Sequence, residues 1–217
     1  RVSVNFTNIE TRFDGYEEFN FSDPAKSFSP GEKEIFNGRL DENGETTFTP
    51  EFFVKGTSPG KLRATFTSRC FEKGGDFSID QFSIPYSPYN HYIGLKAPKG
   101  NRYGVLVTDT LQNFEIISLD ESGKPVDLKG IEVNVYKLDW RWWWHSSGEN
   151  LASFVGSTYQ KPVLQKTVNT TEGKAQFSFK ITYPDWGRFL VRVNDPKGLH
   201  SSGRIIYIDW PGWVSRS

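Results

Sequence analysis

Thr171-Glu-Gly-Lys-Ala-Gln-Phe-Ser-Phe-Lys-Ile181 puts Ala175, Phe177, Phe179 and Ile181 on one parity, with Gln176, Ser178 and Lys180 between them. A period of two is the mark of a half-buried strand, whose successive side chains point to opposite faces. Glu172-Gly173, just ahead of it, has turn chemistry. The same alternation recurs on both sides. Phe189, Val191 and Val193 share a face, as do Val2, Val4 and Phe6, then Leu62, Ala64 and Phe66. Phe77 and Ile79 start another series, which continues after a slip at Phe82 and Ile84. Ser29-Pro-Gly31, Glu42-Asn-Gly44, Ser58-Pro-Gly60 and Glu121-Ser-Gly-Lys124 supply turns. The best helix candidate, Glu149 to Phe154, is too short to be secure. The predicted class is all-β, built of antiparallel sandwiches.

Composition narrows the function. The 217 residues include 26 basic and 26 acidic side chains, a formal net charge of zero. Nucleic-acid and polybasic membrane binders need a clustered positive surplus, so neither partner is expected. The mean hydropathy of -0.55 fits a soluble globular chain, and no apolar run approaches the roughly 20 residues that span a bilayer. Aromatics stand out at 16%, punctuated by 20 Gly and 12 Pro, which favours short strands and turns. A domain size of about 100 to 150 residues gives one or two domains. The single cysteine, Cys70, excludes an intrachain disulfide and a multi-cysteine zinc site. With no methionine and a strand pattern opening at Arg1, the chain reads as a piece of a longer protein.

One pattern occurs twice. Glu42-Asn-Gly-Glu-Thr-Thr-Phe-Thr49 echoes Thr171-Glu-Gly-Lys-Ala-Gln-Phe-Ser178. Each precedes a Pro-containing segment and then a Gly that opens a strand, Pro59 to Phe66 in one case and Trp186 to Val193 in the other. A gap this long does not suit a solenoid; it suits two tandem sandwiches, residues 1–88 and 89–217. The junction is placed in Pro85-Tyr-Ser-Pro-Tyr-Asn-His-Tyr92, where Pro85 and Pro88 interrupt strand pairing and Tyr86, Tyr89 and Tyr92 pack between modules.

Asp139-Trp-Arg-Trp-Trp-Trp-His145 is the least ordinary stretch. Leu138, Trp140, Trp142 and Trp144 take the parity opposite to Ile131, Val133 and Val135, which predicts a bulge or bend near Tyr136 to Lys137. Trp140, Trp142, Trp143 and Trp144, joined by Trp186, Trp210 and Trp213, form a candidate aromatic cluster. It serves either as a platform for sugar rings or a peptide, or as packing at a domain end, each Trp removing about 150 to 250 Å² from water.

No catalytic or metal-ligating set emerges. His91, His145 and His200 share no ligand spacing, and no phosphate loop or Gly-x-Ser-x-Gly elbow is present. Asp14, Glu17 and Glu18 lie close together, but such carboxylates mostly line turns, and no glycosidase pair can be chosen. Asp41-Glu-Asn43 and Asp120-Glu121 match no 12-residue calcium loop. Asn5, Asn20 and Asn169 head Asn-x-Ser/Thr triplets. No cofactor is expected, and the chain is expected to be a monomer without enzymatic activity.

Several of these motifs resemble a known family. Pro59-Gly-Lys-Leu62 and Phe71-Glu-Lys-Gly-Gly-Asp-Phe-Ser78 resemble a middle macroglobulin domain of bacterial alpha-2-macroglobulins. Pro85 to Leu95 resembles the junction to the next domain. That domain is similar in Val135-Tyr-Lys-Leu-Asp-Trp-Arg-Trp-Trp-Trp144, Gly173-Lys-Ala175, Trp186-Gly-Arg-Phe189, Gly198-Leu-His-Ser-Ser202 and Asp209-Trp-Pro-Gly-Trp213. The resemblance implies a large periplasmic, envelope-anchored or extracellular protein of many macroglobulin sandwiches that traps proteases. Its partners would be neighbouring macroglobulin domains and, through the parent protein, target proteases. A family thioester needs Cys-x-Glu-Gln; Cys70 is followed by Phe71, Glu72 and Lys73, so no thioester is expected in this chain. The implied role is a scaffold within an inhibitor, with an envelope-glycan-binding module on Trp140 to Trp144 as the alternative.

Overall fold

A computed structural model of the chain describes residues 1–26, 28, 31–52, 54, 57–72, 74–138 and 161–210. They hold twelve strands and no helix. The helix candidate at 149–154 and the whole tryptophan stretch, 139–145, lie outside the described residues.

Strands β1 (Val2–Asn8), β2 (Glu32–Phe36), β3 (Leu62–Phe71) and β4 (Phe77–Tyr86) form an antiparallel sheet in the order β2-β1-β3-β4. Alternation sends Val4, Phe6, Leu62 and Ala64 to one buried face. Among the described residues that face is covered by Phe28, Phe52 and Val54 from irregular segments. Phe52 meets Phe6 edge-on at 5.2 Å and Tyr86 at 5.6 Å. Pro85 does not interrupt the pairing as expected: it lies within β4 opposite Arg63. An outer strand tolerates proline because an N–H pointing away from the sheet has no partner to lose.

Eight strands follow: β5 (His91–Lys96), β6 (Leu106–Val107), β7 (Gln112–Asp120), β8 (Ile131–Leu138), β9 (Leu164–Val168), β10 (Lys174–Phe179), β11 (Gly187–Asn194) and β12 (Ser201–Asp209). They make a three-stranded sheet, β10-β7-β5, and a five-stranded one, β6-β12-β11-β8-β9. Every pairing is antiparallel except the short one between β6 and β12. Ile93, Leu95, Phe114, Ile116, Phe177 and Phe179 from the first sheet meet Val133, Val135, Phe189, Val191 and Ile208 from the second in one apolar core. Phe114 stacks near-parallel on Phe177 and Phe179 at 5.0 and 5.2 Å. This is a sandwich.

The repeated sequence pattern is matched in part. Both strand-opening glycines lead to antiparallel hairpins, β3–β4 and β11–β12. Gly173 turns directly into β10, whereas Thr46 to Thr49 form no strand.

The bulge predicted near Tyr136 is not present, because β8 keeps an unbroken register with β11 from Glu132 to Leu138. No change of face is needed, since both faces of β8 are covered. Val133 and Val135 enter the main core, while Tyr136 and Leu138 pack outside it with Ala25 and Leu190. Ala25 belongs to a connection that crosses from the first sheet to the second unit.

Candidate functional site

That connection, residues 9–26 after β1, shows no strand period. Its aromatics nevertheless land on the outer face of the β10-β7-β5 sheet. Phe13 and Phe21 pack with Tyr89, Tyr92, Ile117 and Leu119, and Phe13 meets Phe21 at 4.9 Å and Tyr92 at 5.4 Å. Asn20 pairs with Leu95 on the open edge of β5 through two backbone hydrogen bonds of 3.0 and 2.9 Å. The ring of Phe21 lies so close to β5 that a Cβ on Gly94 would sit 2.7 Å from it. Glycine is required there by proximity of the ring, and its φ plays no part. The segment is a strap fixing the first sheet to the second unit.

The predicted junction residues take different places. Pro85 is exposed and Tyr86 belongs to the first unit, 5.3 Å from the Phe6 ring. Pro88, Tyr89 and Tyr92 are buried. Tyr89 and Tyr92 flank the His200 ring at 4.9 and 4.8 Å. The Tyr89 hydroxyl donates to the Ser58 carbonyl of the first unit and accepts from Lys26 Nζ at 3.1 Å. Lys26 Nζ also donates to the Leu199 carbonyl at 2.7 Å. Beside this, Asp23 accepts from Arg192 Nε at 2.7 Å, from Ser201 Oγ, and from the Ala25 N–H at 2.9 Å. Four stretches of sequence therefore meet here: the strap, the Ser58 turn, the tyrosine junction and the β11–β12 turn.

Burial dominates the electrostatics. It drives the His200 imidazole down to about 3, with the Lys26 charge adding to the effect. The ring is neutral, and Nδ1 accepts the Ile93 N–H at 3.0 Å, which leaves the proton on Nε2. That atom is buried, and the backbone of Phe21 pulls the value back up without offsetting the burial. Burial also lowers Lys26 to about 8, against the pull of Asp23, and raises Tyr92 to about 12.

Neither His200 nor Asp23 was singled out from sequence as a site residue. A signal for a covering segment did exist. Tyr92-Ile93 and Ile116-Ile117 break the period of two, as strands covered on both faces do.

The remaining sequence candidates are dispersed. Trp186 and Trp210 are exposed just before β11 and just after β12, and Trp210 meets Tyr183 edge-on at 5.5 Å. Trp140, Trp142, Trp143, Trp144 and Trp213 lie outside the described residues. Cys70 is free and exposed. Glu18 pairs with Lys96 at 2.8 Å, and Glu17 accepts the Gly15 N–H. Asp120 closes its own turn by accepting the Ser122 and Lys124 N–H groups. The Asn20 amide donates to the Ser22 and Gly203 carbonyls and so tethers the strap to β12.

Comparison with known proteins places this architecture. No curated protein matches the sequence significantly. Among solved structures, the fold is similar to native alpha-2-macroglobulin of Escherichia coli, with a TM-score of 0.54 and 16% identity over 96% of this chain. Trypsin-activated alpha-2-macroglobulin from Escherichia coli gives a TM-score of 0.58 with 13% identity, again over 96% of this chain. Salmonella alpha-2-macroglobulin reacted with methylamine gives 0.53 and 14% identity over 97%. The chain spans 14% of the length of each of these. The sequence family described as Bacterial macroglobulin domain 6 matches residues 94–210, from β5 to the end of β12. With more than half of its length in that match, the chain belongs to the bacterial macroglobulin domain 6 family.

Proposed function

We propose that the chain is a fixed-angle, two-domain spacer, residues 1–88 and 89–217, within a longer alpha-2-macroglobulin-like protein that traps proteases. The parent would work in the periplasm, at the cell envelope or outside the cell, and this part would contribute neither catalysis nor a thioester. The observation that carries the reading is the strap, whose buried Asp23, Phe13 and Phe21 tie the first unit to the second. A loose junction would leave such groups wet; this one buries the Asp23 carboxylate and both rings. The spacer holds neighbouring domains at a set distance and angle while other parts of the parent rearrange. The test is digestion of a protein substrate by trypsin. The full-length protein suppresses it and the 217-residue chain alone does not; no suppression by the full-length protein defeats the reading.

The exposed Trp186 and Trp210, with Tyr183 beside the latter, favour a second reading as a glycan-binding module. Titration of the chain with cell-wall polysaccharide, followed by tryptophan fluorescence, separates the two. A saturable change supports the module, and a flat trace supports the spacer.

A further inference from the structure

The two ends of the four-stranded sheet differ in kind. At one end β2 carries Glu32, Lys33 and Glu34, charges that discourage a further strand from pairing. At the other, β4 from Phe77 to Ile84 carries a single charge, Asp80, and among the described residues its one strand partner is β3. Four large apolar side chains of this edge face water: Phe77, Ile79, Phe82 and Ile84 are between 45% and 58% exposed.

Their distribution says what would cover them. The β3–β4 register is unbroken from Leu62 opposite Tyr86 to Phe71 opposite Phe77. Phe82 and Ile84 therefore share the face of Phe66 and Ala64, while Phe77 and Ile79 share the opposite face with Phe71. A flat partner surface laid on the sheet would reach one pair and leave the other in water. A strand added to the edge reaches both, because its own side chains alternate between the same two faces. Pro85, with no N–H, ends the usable edge at its base.

We propose that β4 accepts a fifth strand, an extended segment with apolar side chains on both faces, from an adjoining domain of the longer protein. This rests on the spacer reading. The matched alpha-2-macroglobulin chains, of which this chain spans 14%, have ample length for such a segment.

The experiment is hydrogen exchange on the 217-residue chain and on the full-length protein, with Ile79→Lys made in both. Amides between Phe77 and Ile84 that exchange freely in the 217-residue chain should slow on the order of a hundredfold in the full-length protein. Ile79→Lys should leave the Tm of the short chain unchanged and lower that of the full-length protein. Equal exchange in the two proteins overturns the proposal. Protection in the short chain, with a dimer mass that Ile79→Lys abolishes, also overturns it, because the occupant is then a second copy. Trypsin suppression is measured on the same full-length protein, so loss of the spacer reading and loss of the added strand are scored separately.

Discussion

Asp23 and Arg192 lie 169 residues apart in sequence and 2.7 Å apart in space, the carboxylate almost wholly buried and the guanidinium largely so. One stands in the strap and the other in β11. The pair is therefore a direct measure of how firmly the first unit is fixed to the second.

Removing one partner strands the other. Asp23→Ala leaves Arg192 desolvated and unpaired, and should cost about 3 to 5 kcal/mol. Asp23→Leu combined with Arg192→Met should recover much of that loss, since an apolar pair suffers no desolvation penalty. Urea denaturation of the three variants measures both effects.

His200 makes stability depend on pH. The folded group titrates near 3 and the unfolded one near 6.5, so between these values only the unfolded chain takes up this proton. The contribution is fully present above about pH 6.5 and falls with acid by up to about 1.4 kcal/mol per unit. His200→Gln should flatten that part of the profile between about pH 4 and pH 7. Parallel profiles for the two proteins would refute the assignment.

Gly94→Ala places a methyl 2.7 Å from both Ile117 Cγ2 and the Phe21 ring. The strap must lift or β5 must bend, at a cost of about 1 to 3 kcal/mol. Lifting the strap would appear as faster amide exchange around Asn20 and Leu95, whose paired backbone groups would separate.

Phe114→Ala removes the ring that stacks on both Phe177 and Phe179 at the centre of the sandwich. A loss of about 3 to 5 kcal/mol is expected in denaturant melts. The hairpin β3–β4 lies in the other unit and should keep its exchange pattern.

Alternation made most strands legible: β10, β1 and β3 bury mainly one face, and a one-sided strand writes a period of two into its residues. The strap was not legible. Phe13, Phe21 and Asp23 carry no periodicity, and their burial depends on later strands, β5 and β7 for the two rings and β11 and β12 for the carboxylate. The bulge expected in β8 failed for the same reason: Tyr136 and Leu138 are covered by Ala25, a contact no local pattern encodes. His200, read only as a poor metal ligand, gains its character from Tyr89 and Tyr92, more than a hundred residues upstream.

The strap also imposes an order of events. Phe13 and Phe21 leave the ribosome long before the strands that will shelter them, and they must wait for β5 and β7. A chain begun at residue 89 would have the reverse difficulty, with Tyr92, Ile117 and Leu119 left without a cover. The first unit can be secured to its neighbour only after that neighbour exists, so the junction is the last part of the pair to mature.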